Sequence, residues 1–203
     1  MLKKALYSIL FILIPFFSFS QSGTLKTKTG FLLYFNDKPI SFTVRLDEPN
    51  SEIPYWEDSN VICLFKNKMY LTIIDEQSIL CQIGSPSEKL ICYQNWETDY
   101  IDKTINKNTE RTGFLNDNTN LNLPKKNCET NAWYYLVKAN SDYLCFYSLD
   151  IYSNTGLIRI IYRGDIRNAR IFTNAVFSGM RFFDKEIDIK KLQYKLKNGD
   201  NDF

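Results

Sequence analysis

Five of the seven arginines in this chain lie between positions 159 and 181: Arg159, Arg163, Arg167, Arg170 and Arg181. Arg167 and Arg170 stand one helical turn apart, and Arg163 comes just before Asp165, a residue that can cap such a helix. Planar guanidiniums beside a helix N-terminus suit a carboxylate or a phosphate. The competing reading is a wet helix face whose charges are met by the chain's own acids, such as Asp184, Glu186 and Asp188. A second concentration of charge runs from 47 to 58. There Asp47, Glu48, Glu52, Glu57 and Asp58 meet no base within the segment, and Tyr55-Trp56 lies among them. Two carboxylates with an aromatic wall are what glycoside hydrolysis needs. Neighbours such as Glu57 and Asp58 point apart in a strand, however, so a solvated loop with Trp56 packed on a sheet is the simpler expectation.

The chain contains no histidine. Ser-His-Asp and Cys-His triads, histidine-ligated metals and histidine acid–base catalysis are therefore excluded. No glycine-rich phosphate loop occurs, since Gly156 and Gly164 match neither G-x-G-x-x-G nor G-K-[ST]. Arg163-Gly164-Asp165 spells an integrin-binding tripeptide, but Asp165 is better used as a helix cap. Tyr134, Tyr135, Tyr143, Tyr147, Tyr152 and Tyr162 crowd one stretch. They read either as a binding surface or as half-buried strand positions with wet hydroxyls.

The five cysteines are Cys63, Cys81, Cys92, Cys128 and Cys145, an odd number that leaves at least one free or bonded between chains. None is in C-x-x-C spacing, so a zinc site would need four scattered thiolates, and no metal or cofactor is expected. If residues 77–83 and 89–93 form a hairpin around Gly84-Ser85-Pro86-Ser87-Glu88, Cys81 faces Cys92 within reach of a disulfide. Cys63, inside an apolar run, is the expected unpaired buried thiol.

These groups sit in an exported chain. Lys3 and Lys4 precede an apolar run from Leu6 to Phe19, and Ser18-Phe19-Ser20 before Gln21 has the small residues of a cleavage site. Residues 1–20 thus read as a signal peptide and 21–203 as one domain, periplasmic or secreted, with no cysteine placed for lipid attachment and no integral membrane segment. The Phe-Ser-Phe-Ser-Gln exit and the wealth of Asn, Lys and Ile resemble exported proteins of AT-rich bacteria. The formal charge of +2 resides in Lys3 and Lys4, so residues 21–203 carry no net charge. That balance argues against nucleic acid or an anionic membrane as a partner, though not against a local patch. A hydrophobic content of 44% with 15% aromatics excludes a disordered tail.

Alternating apolar residues predict strands over 24–35, 40–46, 61–65, 69–74, 132–138, 143–149 and 157–162. In 40–46 they place Ile40, Phe42, Val44 and Leu46 inward and leave Ser41, Thr43 and Arg45 on a wet face. Trp96 to Ile105 has helical spacing, and 106–127, dense in Asn, Thr and Lys, reads as a flexible loop. A helix runs from the Asp165 cap to about Phe177, with Arg167, Arg170, Asn174 and Ser178 wet and Phe172, Ala175, Val176 and Gly179 inward. Phe182 and Phe183 return to the core, and 187–196 forms a last strand or helical turn. The expected fold is α+β: an antiparallel sheet with one or two helices packed on it, sandwich-like. The ending Phe177-Ser178 followed by Met180-Arg181-Phe182-Phe183 resembles the last element of small secreted α/β/α domains of the PsbP/Mog1 type. Over about the last third of the chain, that resemblance implies an antiparallel sheet between helices and no catalytic residues.

These readings favour an exported, non-enzymatic protein-binding factor, such as an inhibitor or immunity protein against a secreted toxin or hydrolase. Its expected contacts are Arg159, Arg163, Arg167, Arg170, Tyr55 and Trp56. A periplasmic carrier of an apolar or anionic small ligand is the alternative, and a histidine-free hydrolase the third reading.

Overall fold

The computed structural model describes residues 22–37, 40–47, 53–58, 61–64, 68–74, 81, 83–105, 109–117, 128–153 and 156–199. The leader expected over 1–20 and its cleavage site lie outside the described residues. Among these residues eleven strands and three helices follow one another. They are β1 (Gly23–Lys26), β2 (Phe31–Asp37), β3 (Ile40–Leu46), β4 (Tyr55–Asp58), β5 (Val61–Leu64), β6 (Met69–Ile74), α1 (Pro86–Thr104), β7 (Leu115–Asn116), β8 (Cys128–Ala139), β9 (Asp142–Ser153), β10 (Gly156–Gly164), α2 (Ile166–Gly179), β11 (Met180–Phe182) and α3 (Ile189–Lys197). Two antiparallel sheets result, ordered β1-β2-β3-β11 and β4-β5-β6-β10-β9-β8-β7. This is an α+β sandwich, with two sheets where a single one was expected. One apolar cluster joins Leu33, Phe35, Phe42 and Val44 of the small sheet to Ile62, Leu71, Ile158 and Ile160 of the large one, with Val176 and Phe177 of α2 between them. Burial of that shared surface is the main force holding the layers together.

Local chemistry explains where the elements begin and end, and where the sequence misleads. The strand expected over 24–35 is cut by the polar Thr27-Lys28-Thr29-Gly30 turn, in which the Thr27 amide donates to the Gly30 carbonyl at 2.9 Å. The result is a β1–β2 hairpin. β3 was expected to keep one wet face, yet Ser41 and Thr43 are 7% and 1% exposed. The chain after β11 closes the Ser41 end of that face. Asn36 donates to the Ile187 carbonyl (3.1 Å), and its Oδ1 accepts from the Ile187 amide (2.8 Å) and the Ser41 hydroxyl (3.0 Å). Asp47, expected to lack a local base, accepts from Arg45 at 2.8 Å.

The hairpin expected around Gly84–Glu88 is instead the start of α1. Ser85 and Glu88 form a capping box: Ser85 Oγ accepts from the Glu88 amide, and Glu88 Oε2 accepts from the Ser85 amide at 2.7 Å. Pro86 at the first helical position strengthens the start. The helix expected over 96–105 is the second half of this element. Of the loop expected over 106–127, residues 106–108 and 118–127 lie outside the described residues. Within it, Leu115–Asn116 pairs with β8 and Arg111 bridges to Val137, so this part lies against a sheet edge.

α2 begins as predicted, with Asp165 accepting from the Arg167 amide at 2.8 Å. Its buried face is Ala169, Thr173, Val176 and Phe177, turned slightly from the expected one, and Ala175 is exposed. Residues 189–197 resolve the open choice at the C-terminus as a helix, α3, capped by Asp188.

Candidate functional site

α1 lies across the outer face of the large sheet, the face turned away from the small sheet. Leu90 and Tyr93 bury themselves with Leu157, beside Ile74, Cys81 and Tyr152. Gln94 ties the far side of α1 down, donating to Asn116 and accepting from Asn131, each at 2.7 Å. A Cys81–Cys92 disulfide, with Cα atoms 5.7 Å apart, joins the preceding segment to the helix. The two cysteines meet as loop and helix rather than across a hairpin.

Beneath α1 the antiparallel register sets Arg159 opposite Asp150. Arg159 is 3% and Asp150 0% exposed. The guanidinium donates to Asp150 at 2.7 and 3.3 Å and pairs with Glu97 of α1 at 3.1 Å. It lies over the Tyr93 ring at 4.4 Å and the Trp133 ring at 5.4 Å. Trp133 Nε1 (2.8 Å) and the Ser148 hydroxyl (3.0 Å) donate to the remaining positions of Asp150. Burial alone would lower the Arg159 pKa, but the adjoining Asp150 charge and hydrogen bonds, aided by Glu97, outweigh it and hold the guanidinium above its ordinary value. This group is a closed structural pin with no face left for a partner, so Arg159 leaves the expected contact surface.

The structure also disperses the other arginines. Arg167 turns back on its own cap, with Asp165 at 3.3 Å. Arg170 grips the buried Asp117 at 2.6 and 2.8 Å, and Asp117 also accepts from the Tyr147 hydroxyl at 2.9 Å. The internal partners are thus Asp165 and Asp117, not the acids of 184–188. Arg111 pairs with Asp102. Arg163 differs. It is exposed, stacks over Phe146 at 5.3 Å, and has no carboxylate partner among the described residues.

Tyr55 and Trp56 do not make one surface either. β4 sets Tyr55 opposite Cys63 and Trp56 opposite Ile62, so the two rings point to opposite faces. Tyr55 is 49% exposed on the outer face, whereas Trp56 stacks on Phe35 at 6.3 Å in the core. Its Nε1 is buried without a hydrogen-bond partner among the described residues. Cys63 is free and buried, and its thiol donates to Glu57 Oε2 at 3.3 Å. Burial, with Glu57 adding to it, raises the Cys63 pKa, and burial pushes Cys145 up to about 12. Both thiols are protonated at neutral pH and poor nucleophiles. Among the described residues no cluster of three or more Cys, Asp or Glu could hold a metal ion.

Reading the sequence missed a continuous aromatic row on the outer face. Arg111 lies over Phe114 at 4.8 Å, Phe114 meets Tyr135 edge-on at 5.4 Å, and Tyr135 stacks flat on Phe146 at 5.0 Å, with Arg163 beyond. Tyr135 reports how close the charges are. Burial raises its pKa and Glu97 adds to that, while Arg111 and Arg163 pull it down. Alongside Glu97 on α1, Tyr93, Trp96 and Tyr100 stack with centroids 6.0 and 6.1 Å apart, Trp96 being 44% and Tyr100 55% exposed. The signal was present in β8, where Trp133, Tyr135 and Val137 share one side by strict alternation. The cluster of six tyrosines obscured it by mixing residues of both faces. Compared with known proteins, the chain matches no family model and no curated protein.

The buried tyrosines give a pH expectation. Burial raises the pKa of Tyr93, Tyr135, Tyr147 and Tyr162 above the usual 10.0, with the Asp117 hydrogen bond adding at Tyr147. A raised folded-state pKa contributes stability that is complete below the unfolded value and lost as pH rises past it. The protein should therefore lose stability above about pH 10. In a titration followed at the tyrosinate absorbance band, these phenols should ionise only together with loss of circular dichroism. Full ionisation with the fold intact would contradict this.

Proposed function

We propose that this chain is an exported, non-enzymatic binding protein that holds another protein on the outer face of its large sheet, as an inhibitor or immunity factor does. The observation that carries the reading is Arg163: an exposed guanidinium, steadied on Phe146, without a carboxylate partner among the described residues. Phe146 beneath it stacks on the buried Tyr135, α1 presents Trp96 and Tyr100 exposed, and arginine, tryptophan and tyrosine are the residues that dominate binding energy at protein interfaces. A stacked guanidinium is already ordered, so less entropy is lost when it meets a partner's carboxylate. The Cys81–Cys92 bond supports an oxidising compartment, periplasmic or outside the cell. The raised thiol pKa values and the absence of histidine support binding rather than catalysis.

The test is partner capture from the extracytoplasmic fraction of the natural host, read by native mass spectrometry. Arg163→Glu should weaken the captured complex by about 30-fold or more, the equivalent of roughly 2 kcal/mol. Arg167→Ala, whose partner is its own helix cap, should leave it unchanged. Equal capture by Arg163→Glu and the native protein would remove this surface from consideration.

A further inference from the structure

The balanced charge of the chain hides an uneven distribution. α3 turns Leu192 inward at 4% exposed, with Ile189 and Leu196 half-buried beside it. Helical spacing puts Lys190, Lys191, Tyr194 and Lys197 on the opposite side, and no acid occurs from Ile189 to Gly199. Tyr194 is 69% exposed in the middle of these lysines. The chain just beyond α3 comes within reach of the Lys28 side chain of the turn between β1 and β2. A side chain added at Gly199 would begin 3.2 Å from the Lys28 ammonium. Lys28, in that turn, and Lys26, at the end of β1, are both exposed. Basic residues from the two ends of the chain thus converge.

Asp200 and Asp202 follow Gly199 outside the described residues, and of the described acids that flank this face two are already engaged. Asp47 is held by Arg45 at 2.8 Å and Thr29 at 2.7 Å. Asp188 caps α3, accepting from the Lys191 amide at 3.1 Å, and Asp184 and Glu186 precede the helix. Lys26, Lys28, Lys190, Lys191 and Lys197 have no ion pair among the described residues.

We propose that this face docks the protein on an anionic lipid surface. Its chemistry selects that occupant. Protein interfaces are depleted in lysine and enriched in arginine, whereas the cations of this face are all lysines. Ammonium groups on long flexible stems suit smeared negative charge rather than one carboxylate at a fixed angle. A tyrosine among them can seat its ring at headgroup depth with the hydroxyl in water. The proposal is independent of the Arg163 surface.

The test is sedimentation of the exported protein with vesicles of phosphatidylcholine alone or with about 30% phosphatidylglycerol, at about 50 mM and 300 mM salt. Binding to the anionic vesicles should exceed binding to neutral ones by about ten-fold at low salt and fall to the neutral level at high salt. The variant Lys190→Gln/Lys191→Gln/Lys197→Gln should lose that preference. Lys26→Gln/Lys28→Gln should lose several-fold, showing that both chain ends act as one patch. Circular dichroism confirms that each variant is folded, which exposed substitutions should permit. Equal binding to both vesicles, or a folded triple variant that binds like the native protein, overturns the proposal. Binding to polyglutamate at low salt with no binding to the anionic vesicles would overturn it in favour of an acidic protein partner.

Discussion

Asp150→Ala should lower the stability of the protein by about 3–5 kcal/mol, the range seen when one partner of a buried ion pair is removed. Asp150 is fully buried and receives Arg159, Trp133 and Ser148. The variant leaves the Arg159 guanidinium, 3% exposed, with only Glu97 to balance it, and strands the Trp133 indole N–H. In a domain of this size the midpoint of thermal unfolding should fall by roughly 10–15 °C. The penalty comes from the orphaned charge and not from the lost pair as such. The double variant Arg159→Met/Asp150→Leu should therefore recover more than half of it, because replacing both ions by apolar groups of similar volume removes the desolvation cost. A double variant as unstable as the sum of its singles would show the two residues acting independently. Asp150→Ala with an unchanged midpoint would show that water reaches the guanidinium.

Gly179→Ala is the second large effect, expected at about 2–3 kcal/mol. Gly179 ends α2 where the helix meets β3, and a methyl group there would run into the Arg45 carbonyl oxygen and the backbone around it. Backbone on one side and a packed helix on the other leave little room to yield, since Val176, Phe177 and Met180 beside Gly179 are all buried. Chemical denaturation should show a lower midpoint with an unchanged slope, as fits a strained native state rather than an altered unfolded one. In the same assay Gly113→Ala, whose added methyl would meet nothing within 4 Å, should be nearly neutral. Equal midpoints for the two variants would mean that α2 can lift off β3 at little cost.

Much of the framework is legible because its causes are local. Period-two alternation marks β3, β5, β6, β9 and β10, since successive side chains of a strand point to opposite faces of its sheet. Asp165 announces α2 because a cap bonds amides only two or three residues away. The absence of histidine bounds the chemistry without any fold at all. α1 was readable in part: Ser85-x-x-Glu88 is a capping box, but the apolar run Leu90-Ile91-Cys92-Tyr93 behind it suits a strand equally well. Only packing of Leu90 and Tyr93 against Leu157 selects the helix.

The site was decided by tertiary structure, because charges choose partners in space rather than in sequence. Arg170 finds Asp117 from 53 residues away, and Arg159 finds Asp150 only through the β9–β10 register. Four arginines that look like one cluster along the chain therefore separate into a buried pin, two helix residues paired with the chain's own acids and one guanidinium with no carboxylate partner among the described residues. Tyr55 and Trp56 part in the same way: pairing of β4 with β5 sends one ring to solvent and the other to Phe35. Composition determined which groups are present and which reactions they exclude. Strand register and helix docking decided which of those groups have already met their partners inside the molecule, and so which remain to meet another.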